Sequence, residues 1–182
     1  MRALVLELVG AFSITQETVV RVAEIYFEKR TPGLAEFVKK KALDRIGDDE
    51  RPKLVLTLGE ELKTTSDLAN FGRVFRNVKK VRDFIAHASR VELIDRDTVR
   101  LVRTIHVSAA EPESPTMTLT RQAVADRMRD AQWLTQHVNF LLVQSDLVVK
   151  TYQGDREVRF LEPTVRPEEW DGVLFELVES EA

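Results

Sequence analysis

Arg82 and His87, five positions apart, are the side chains in this sequence best suited to chemistry. An imidazole changes charge near neutral pH and can take or give a proton, while a guanidinium stays cationic and grips a phosphate through parallel N–H donors. Around them the chain is locally basic. Residues 71–90 carry Arg73, Arg76, Lys79, Lys80, Arg82 and Arg90 against the single carboxylate of Asp83, although the whole chain has a net charge of −3. Such a segment suits a phosphodiester, with Arg76, Lys79, Lys80 and Arg90 as candidate RNA contacts, but the net charge argues against polyanion binding over the whole surface. Other chemistries lack their residues. With no cysteine there is no disulfide, thiolate nucleophile or cysteine zinc site, and the three histidines, His87, His106 and His137, do not stand at metal-ligand spacing. Nor does the sequence contain a glycine-rich phosphate loop, a dinucleotide fingerprint or HExxH, so neither metal nor cofactor is expected.

The element that must position the pair is an amphipathic helix over Phe71 to Arg90. At 100° per residue, Phe71, Val74, Phe75, Val78, Val81 and Ile85 fall in one arc, the stripe of a core-facing helix. Arg82 lies inside that arc. Its charge cannot be lost, so it needs a carboxylate partner or a bound anion. His87 sits about 140° further round, on the polar side with Arg76, Lys80 and Asp83. One rigid helix does not aim both side chains at one point. Either the helix ends between them, or a second copy completes the pair across a two-fold axis. A purely structural role is the alternative, with Arg82 paired to a carboxylate and His87 ending the helix, where its cation would favour the dipole.

The run Arg82-Asp83-Phe84-Ile85-Ala86-His87 resembles the R-x4-6-H motif of the HEPN superfamily, helical-bundle domains of toxin–antitoxin, phage-defence and RNA-processing systems. Many active members are metal-independent RNases that work as dimers. The resemblance covers the central part of the chain. It implies a catalytic pair Arg82 and His87 with Asp83 as the auxiliary polar residue, where many members carry Asn or His. It also implies a homodimer and a neutralising partner, either an antitoxin or a small nucleotidyltransferase. Arg100 to His106 also fits the R-x4-6-H window, but it lies on a strand-like alternation rather than a helix.

The rest of the chain reads as scaffold. Ala3 to Phe12 opens the core as helix or strand, and Ser13 with Gln16 has capping-box spacing, which starts a helix at Ile14 that runs to about Lys29. A second helix spans Leu34 to Ile46, its Lys39-Lys40-Lys41 run a solvated face. Asp48-Asp49-Glu50 forms a solvated turn, Lys53 to Leu62 leans to helix between helical neighbours, and Ser66 caps the motif helix, which carries an interior glycine, Gly72. After His87 the period changes to that of a β-hairpin over 91–107 with Arg100 on its wet face. A loop with Pro112 and Pro115 follows, and then a long helix from Thr118 or Thr120 towards Thr151, with His137 as a core histidine beside its stripe. The expected architecture is therefore mainly α: a HEPN-like helical domain over 1–152 with a hairpin insertion, and a short irregular or β tail over 153–182 anchored by Trp170. No uninterrupted apolar run approaches the ~20 residues of a membrane span, and with the absence of cysteine this leads us to expect a cytoplasmic protein.

Overall fold

The computed structural model describes residues 1–103, 116–144, 147 and 151–179. In chain order these form α1 (Arg2–Arg30), α2 (Pro32–Lys41), a 3-10 turn (Leu43–Arg45), α3 (Arg51–Glu61), α4 (Phe71–Ala86), β1 (Arg90–Leu93), β2 (Thr98–Val102), β3 (Thr116–Thr120), α5 (Arg121–Gln144), β4 (Thr151–Gln153), β5 (Arg156–Phe160), a second 3-10 turn (Pro167–Glu169) and β6 (Phe175–Glu179). The protein is mainly helical with two small antiparallel sheets. The expected His106 and the hairpin's far end at 104–107 lie outside the described residues.

Two long helices make the core. Leu8, Phe12, Val19, Val22 and Ala23 of α1 are buried against α5, whose Val124, Ala131, Leu134, Val138 and Leu141 face them at helical spacing. Thr15 sits within this stripe and is satisfied across it, donating to the carbonyls of Ala11 and Ala131 and meeting the Thr135 hydroxyl at 2.8 Å. Because the apolar period runs unbroken through Leu4 to Phe12, α1 does not start at the Ser13 capping box. Ser13 is interior and donates back to the Val9 carbonyl at 2.9 Å. An 18-residue window of α1 reaches a mean hydropathy of 1.4, enough by length and composition to cross a membrane, although Glu7 and Glu17 interrupt the apolar run. Here one stripe of it fills the bundle core, while Leu6 and Ile14 are exposed.

The third helix forms as expected, with Pro52 in its first turn where no N–H is needed. Ser66, however, does not cap α4. Asp67 accepts the Ala69 amide in a tight turn, which delays helical geometry until Phe71, and the Ser66 hydroxyl turns inward to His137. The buried face of α4 comprises Phe71, Val74, Phe75, Val78 and also Phe84, a position outside the expected arc. Phe84 is covered because Arg103, just past β2, lays its guanidinium 4.1 Å from the ring centroid. A Cβ added at Gly72 would stand 3.8 Å from Pro52 Cβ of α3, an ordinary contact, so the approach of α3 does not require a glycine there.

After α4 the chain forms the sheet β1-β2-β3, with Val91 opposite Leu101, Leu93 opposite Val99 and Val99 opposite Leu119. Val99, Leu101 and Leu119 are buried and Arg100 is exposed, so the sheet has one dry and one wet face. Thr118 and Thr120 belong to β3 rather than to the long helix. Their alternation with the half-buried Met117 and buried Leu119 matches period 2, and α5 begins only at Arg121. The C-terminal residues form the second sheet, β4-β5-β6, and dock on α5. Gln136 donates to the carbonyls of Leu161 and Leu174, Trp133 donates to Thr164, and Trp170 is buried.

His137 is wholly buried between Trp133, at 4.1 Å between ring centroids, and Phe71, with Nδ1 2.8 Å from the Ser66 hydroxyl. Burial lowers its pKa from 6.5 to about 4, against the opposing pull of Asp67 and the Thr164 carbonyl. The unfolded chain binds this proton near pH 6.5 and the folded chain only near 4, so stability is complete above pH 6.5 and falls as pH drops through that window. The loss is about 3 kcal/mol at most. Urea unfolding between pH 7.5 and 4.5 should show a steeper fall in the unchanged protein than in His137→Gln, which can keep a hydrogen bond to Ser66 without titrating. Parallel profiles would contradict the assignment.

Candidate functional site

Helix α4 ends at Ala86, so His87 is its C-cap, and the break between the helix and His87 is where the two motif residues part. Arg82, with 21% of its side chain exposed, turns towards the bundle. Its Nη2 lies 2.6 Å from Asp48 Oδ2, its Nη1 lies 3.0 Å from Asp83 Oδ1, and the guanidinium rests 5.1 Å from the Phe12 ring centroid. This is the partner that its place in the apolar arc requires.

The partner was not legible as such. Asp48 looks like one of three solvated carboxylates in a turn, but only Asp49 and Glu50 are well exposed. Asp48 is three-quarters covered and accepts from Arg82, from the Gln16 amide at 2.5 Å and from Arg51 at 3.5 Å. Gln16, expected in a capping box, thus ties α1 to the turn before α3. Charge matching across elements, an arginine in an apolar arc with a carboxylate run elsewhere, was the available signal.

His87 faces a different space. It is exposed, and among the described residues its ring makes no hydrogen bond, which leaves both nitrogens open to proton transfer. It lines a cleft of about 410 Å³ with Arg76, Lys79, Lys80, Asp83 and Arg103, and Asp49 closes the other side. The expected contacts Arg76, Lys79 and Lys80 are therefore brought together with His87, whereas Arg82 does not line the cleft. Arg90 is also elsewhere, on β1, paired with Glu92 at 2.6 Å. Arg103 joins the cleft from the sheet, a contribution that a reading centred on the helix did not reach.

Asp83 connects the two places. One of its oxygens holds Arg82 and the other holds Lys79 at 3.0 Å, with Asp49 3.5 Å from the same ammonium. Burial pulls Lys79 down, but hydrogen bonding and attraction from Asp83, with Asp49, outweigh it and hold the ammonium above the usual lysine range. Among the described residues Arg76 and Lys80 make no ion pair, so their charge is available to a ligand. The cleft sets four permanent cations against two carboxylates, and it can take an anionic group beside an open imidazole. No three of its side chains, nor any others among the described residues, gather as a set of His, Asp or Glu that could hold a metal ion.

Removing Asp48 should strand the Arg82 charge in a mostly covered position. Asp48→Ala is expected to lower the unfolding free energy by about 1–3 kcal/mol, below the cost of breaking a fully buried pair because both groups retain some solvent. Urea denaturation against Glu50→Ala, a neighbouring exposed carboxylate, measures this. Equal effects would show that the pair contributes little. No family model, curated protein or solved structure significantly matches this chain.

Proposed function

We propose that this protein is a metal-independent endoribonuclease of the HEPN type, with the cleft beside the end of α4 as its RNA site. The observation that carries the reading is an open His87 grouped with Arg76, Lys79, Lys80 and Arg103 in one cleft. The resemblance of Arg82 to His87 to the R-x4-6-H motif supplies the reaction class, and the fold is compatible at the coarser level of a mainly helical protein.

In this reading His87 removes the proton from a ribose 2′-hydroxyl. The oxygen attacks the adjacent phosphorus, the bond to the 5′-oxygen breaks, and that oxygen takes a proton from the protonated His87 or from solvent water, giving a 2′,3′-cyclic phosphate and a 5′-hydroxyl. The cations of the cleft offset the charge that builds on the non-bridging oxygens. Arg82 contributes only on exchanging part of its Asp48 and Asp83 contacts for phosphate, or by holding Asp83 so that Lys79 is placed. Toxin, defence or RNA-processing roles, a homodimer, and an antitoxin or nucleotidyltransferase partner belong to the same proposal.

A second reading has its own support. Arg82 is already satisfied by two carboxylates, which favours a catalytically silent HEPN-like module that binds a nucleotide, an RNA or a protein partner without turnover. Incubating a panel of cellular RNAs in EDTA with the unchanged protein, His87→Ala and Arg82→Lys separates the two. The RNase reading expects cleavage to 2′,3′-cyclic ends, a loss of at least about a hundredfold in His87→Ala, as for removal of an acid–base group, and a smaller loss in Arg82→Lys. RNA retained by the folded protein but left intact would establish the binding module instead.

A further inference from the structure

The sheet β1-β2-β3 overhangs the bundle. Val91 and Leu93 stand opposite Leu101 and Val99 and therefore share their face of the sheet, yet Leu101 and Val99 are buried while Val91 is 63% and Leu93 71% exposed. Together with Ile85 and with Val5 and Leu6 of α1 they line an apolar hollow of about 470 Å³, and Leu6 is 67% exposed. Leu6, Val91 and Leu93 expose on the order of 350 Å² between them, comparable to the largest apolar patch on a typical monomer. That is about half of what one partner contributes to a standard interface.

The strand beside this hollow has a free edge. Among the described residues β1 pairs only with β2, and the Ile94 amide donates to the Thr98 carbonyl, so Ile94, Glu92 and Arg90 direct their backbone groups inwards. The alternate residues, Val91 and Leu93, then direct theirs outwards. The edge carries neither lysine nor proline to block pairing.

These features are self-complementary. We propose that β1 pairs antiparallel with β1 of a second copy of this chain, about a two-fold axis at Glu92, joining the two sheets and covering the hollow. In that register the outward groups of Val91 meet those of Leu93 of the copy, and the reverse, so that both free residues are satisfied and their side chains abut on the apolar face. On the other face the two Glu92 carboxylates meet already neutralised, each held by Arg90 at 2.6 Å and Arg100 at 3.6 Å. The surface is separate from the cleft: Ile85 faces the hollow and His87 the cleft, so the proposal does not depend on RNA cleavage.

Light scattering on the full chain after size exclusion tests it, with Val91→Lys/Leu93→Lys as the disrupting variant and Phe37→Lys, at an exposed apolar residue of α2, as control. The expected result is a dimer for the unchanged protein and for Phe37→Lys, and a monomer of unchanged circular dichroism for the double variant. A monomeric unchanged protein, or a dimer that survives the double substitution, would overturn it. Should the double variant misfold, amide exchange of the unchanged protein decides the matter. Val91 and Leu93 should exchange several-fold more slowly in concentrated than in dilute solution, and rates independent of concentration would equally overturn the proposal.

Discussion

A permanent charge on the apolar side of a helix is the constraint around which the middle of this protein is arranged. Arg82 cannot neutralise itself, and the fold answers by bringing Asp48 to it from the turn before α3, with Phe12 beneath the guanidinium and Asp83 beside it. Asp48 in turn accepts from Gln16 and Arg51. One carboxylate thereby fixes α1, α3 and α4 relative to one another. Apolar burial is several times larger in total but non-directional, and it would tolerate sliding among these helices. The charged contact, costly to leave half made, sets their register.

The second buried polar centre works by the same logic at the other end of α4. His137 occupies a place on α5 where aromatic rings enclose it, and Ser66 supplies the hydrogen bond at Nδ1. Because Ser66 turns inwards, it is lost as a helix cap, and the Asp67 turn forms in its place. Both departures from local capping rules, at Ser13 and at Ser66, have this character. A short-range preference worth about 1 kcal/mol yields to a continuous apolar stripe or to a buried polar group that must be satisfied.

Periodicity therefore made the helices legible more readily than their ends. The stripes of α4 and α5 and the alternation of β2 follow from burial, which leaves a regular trace in sequence. The polar face of α4 was legible for the same reason, since Arg76, Lys80, Asp83 and His87 share it by geometry alone. What had no local trace was any contribution from afar: Asp48 and Asp49 from a turn, Arg103 from the end of a strand, the inward turn of Ser66, and the third strand, whose short alternating run adjoins a strongly helical segment. Phe84 belongs with these, because the sheet that covers it is made by residues further along the chain.

The division of labour along α4 bears on how strongly the cleft can hold RNA. Of its cations, Lys79 is committed to Asp83 and Asp49, and Arg103 stands over the Phe84 ring, while among the described residues Arg76 and Lys80 make no ion pair. Two uncommitted charges neutralise about two phosphates, and for a single strand that is a weak, salt-sensitive attraction. The overall charge of −3 adds no long-range pull. A site of this kind does not coat RNA; it can seat one phosphodiester locally and must rely on position rather than affinity. Position is what the Asp83 bridge supplies, since the carboxylate that anchors Lys79 is held by the same Arg82 that the core has already locked in place.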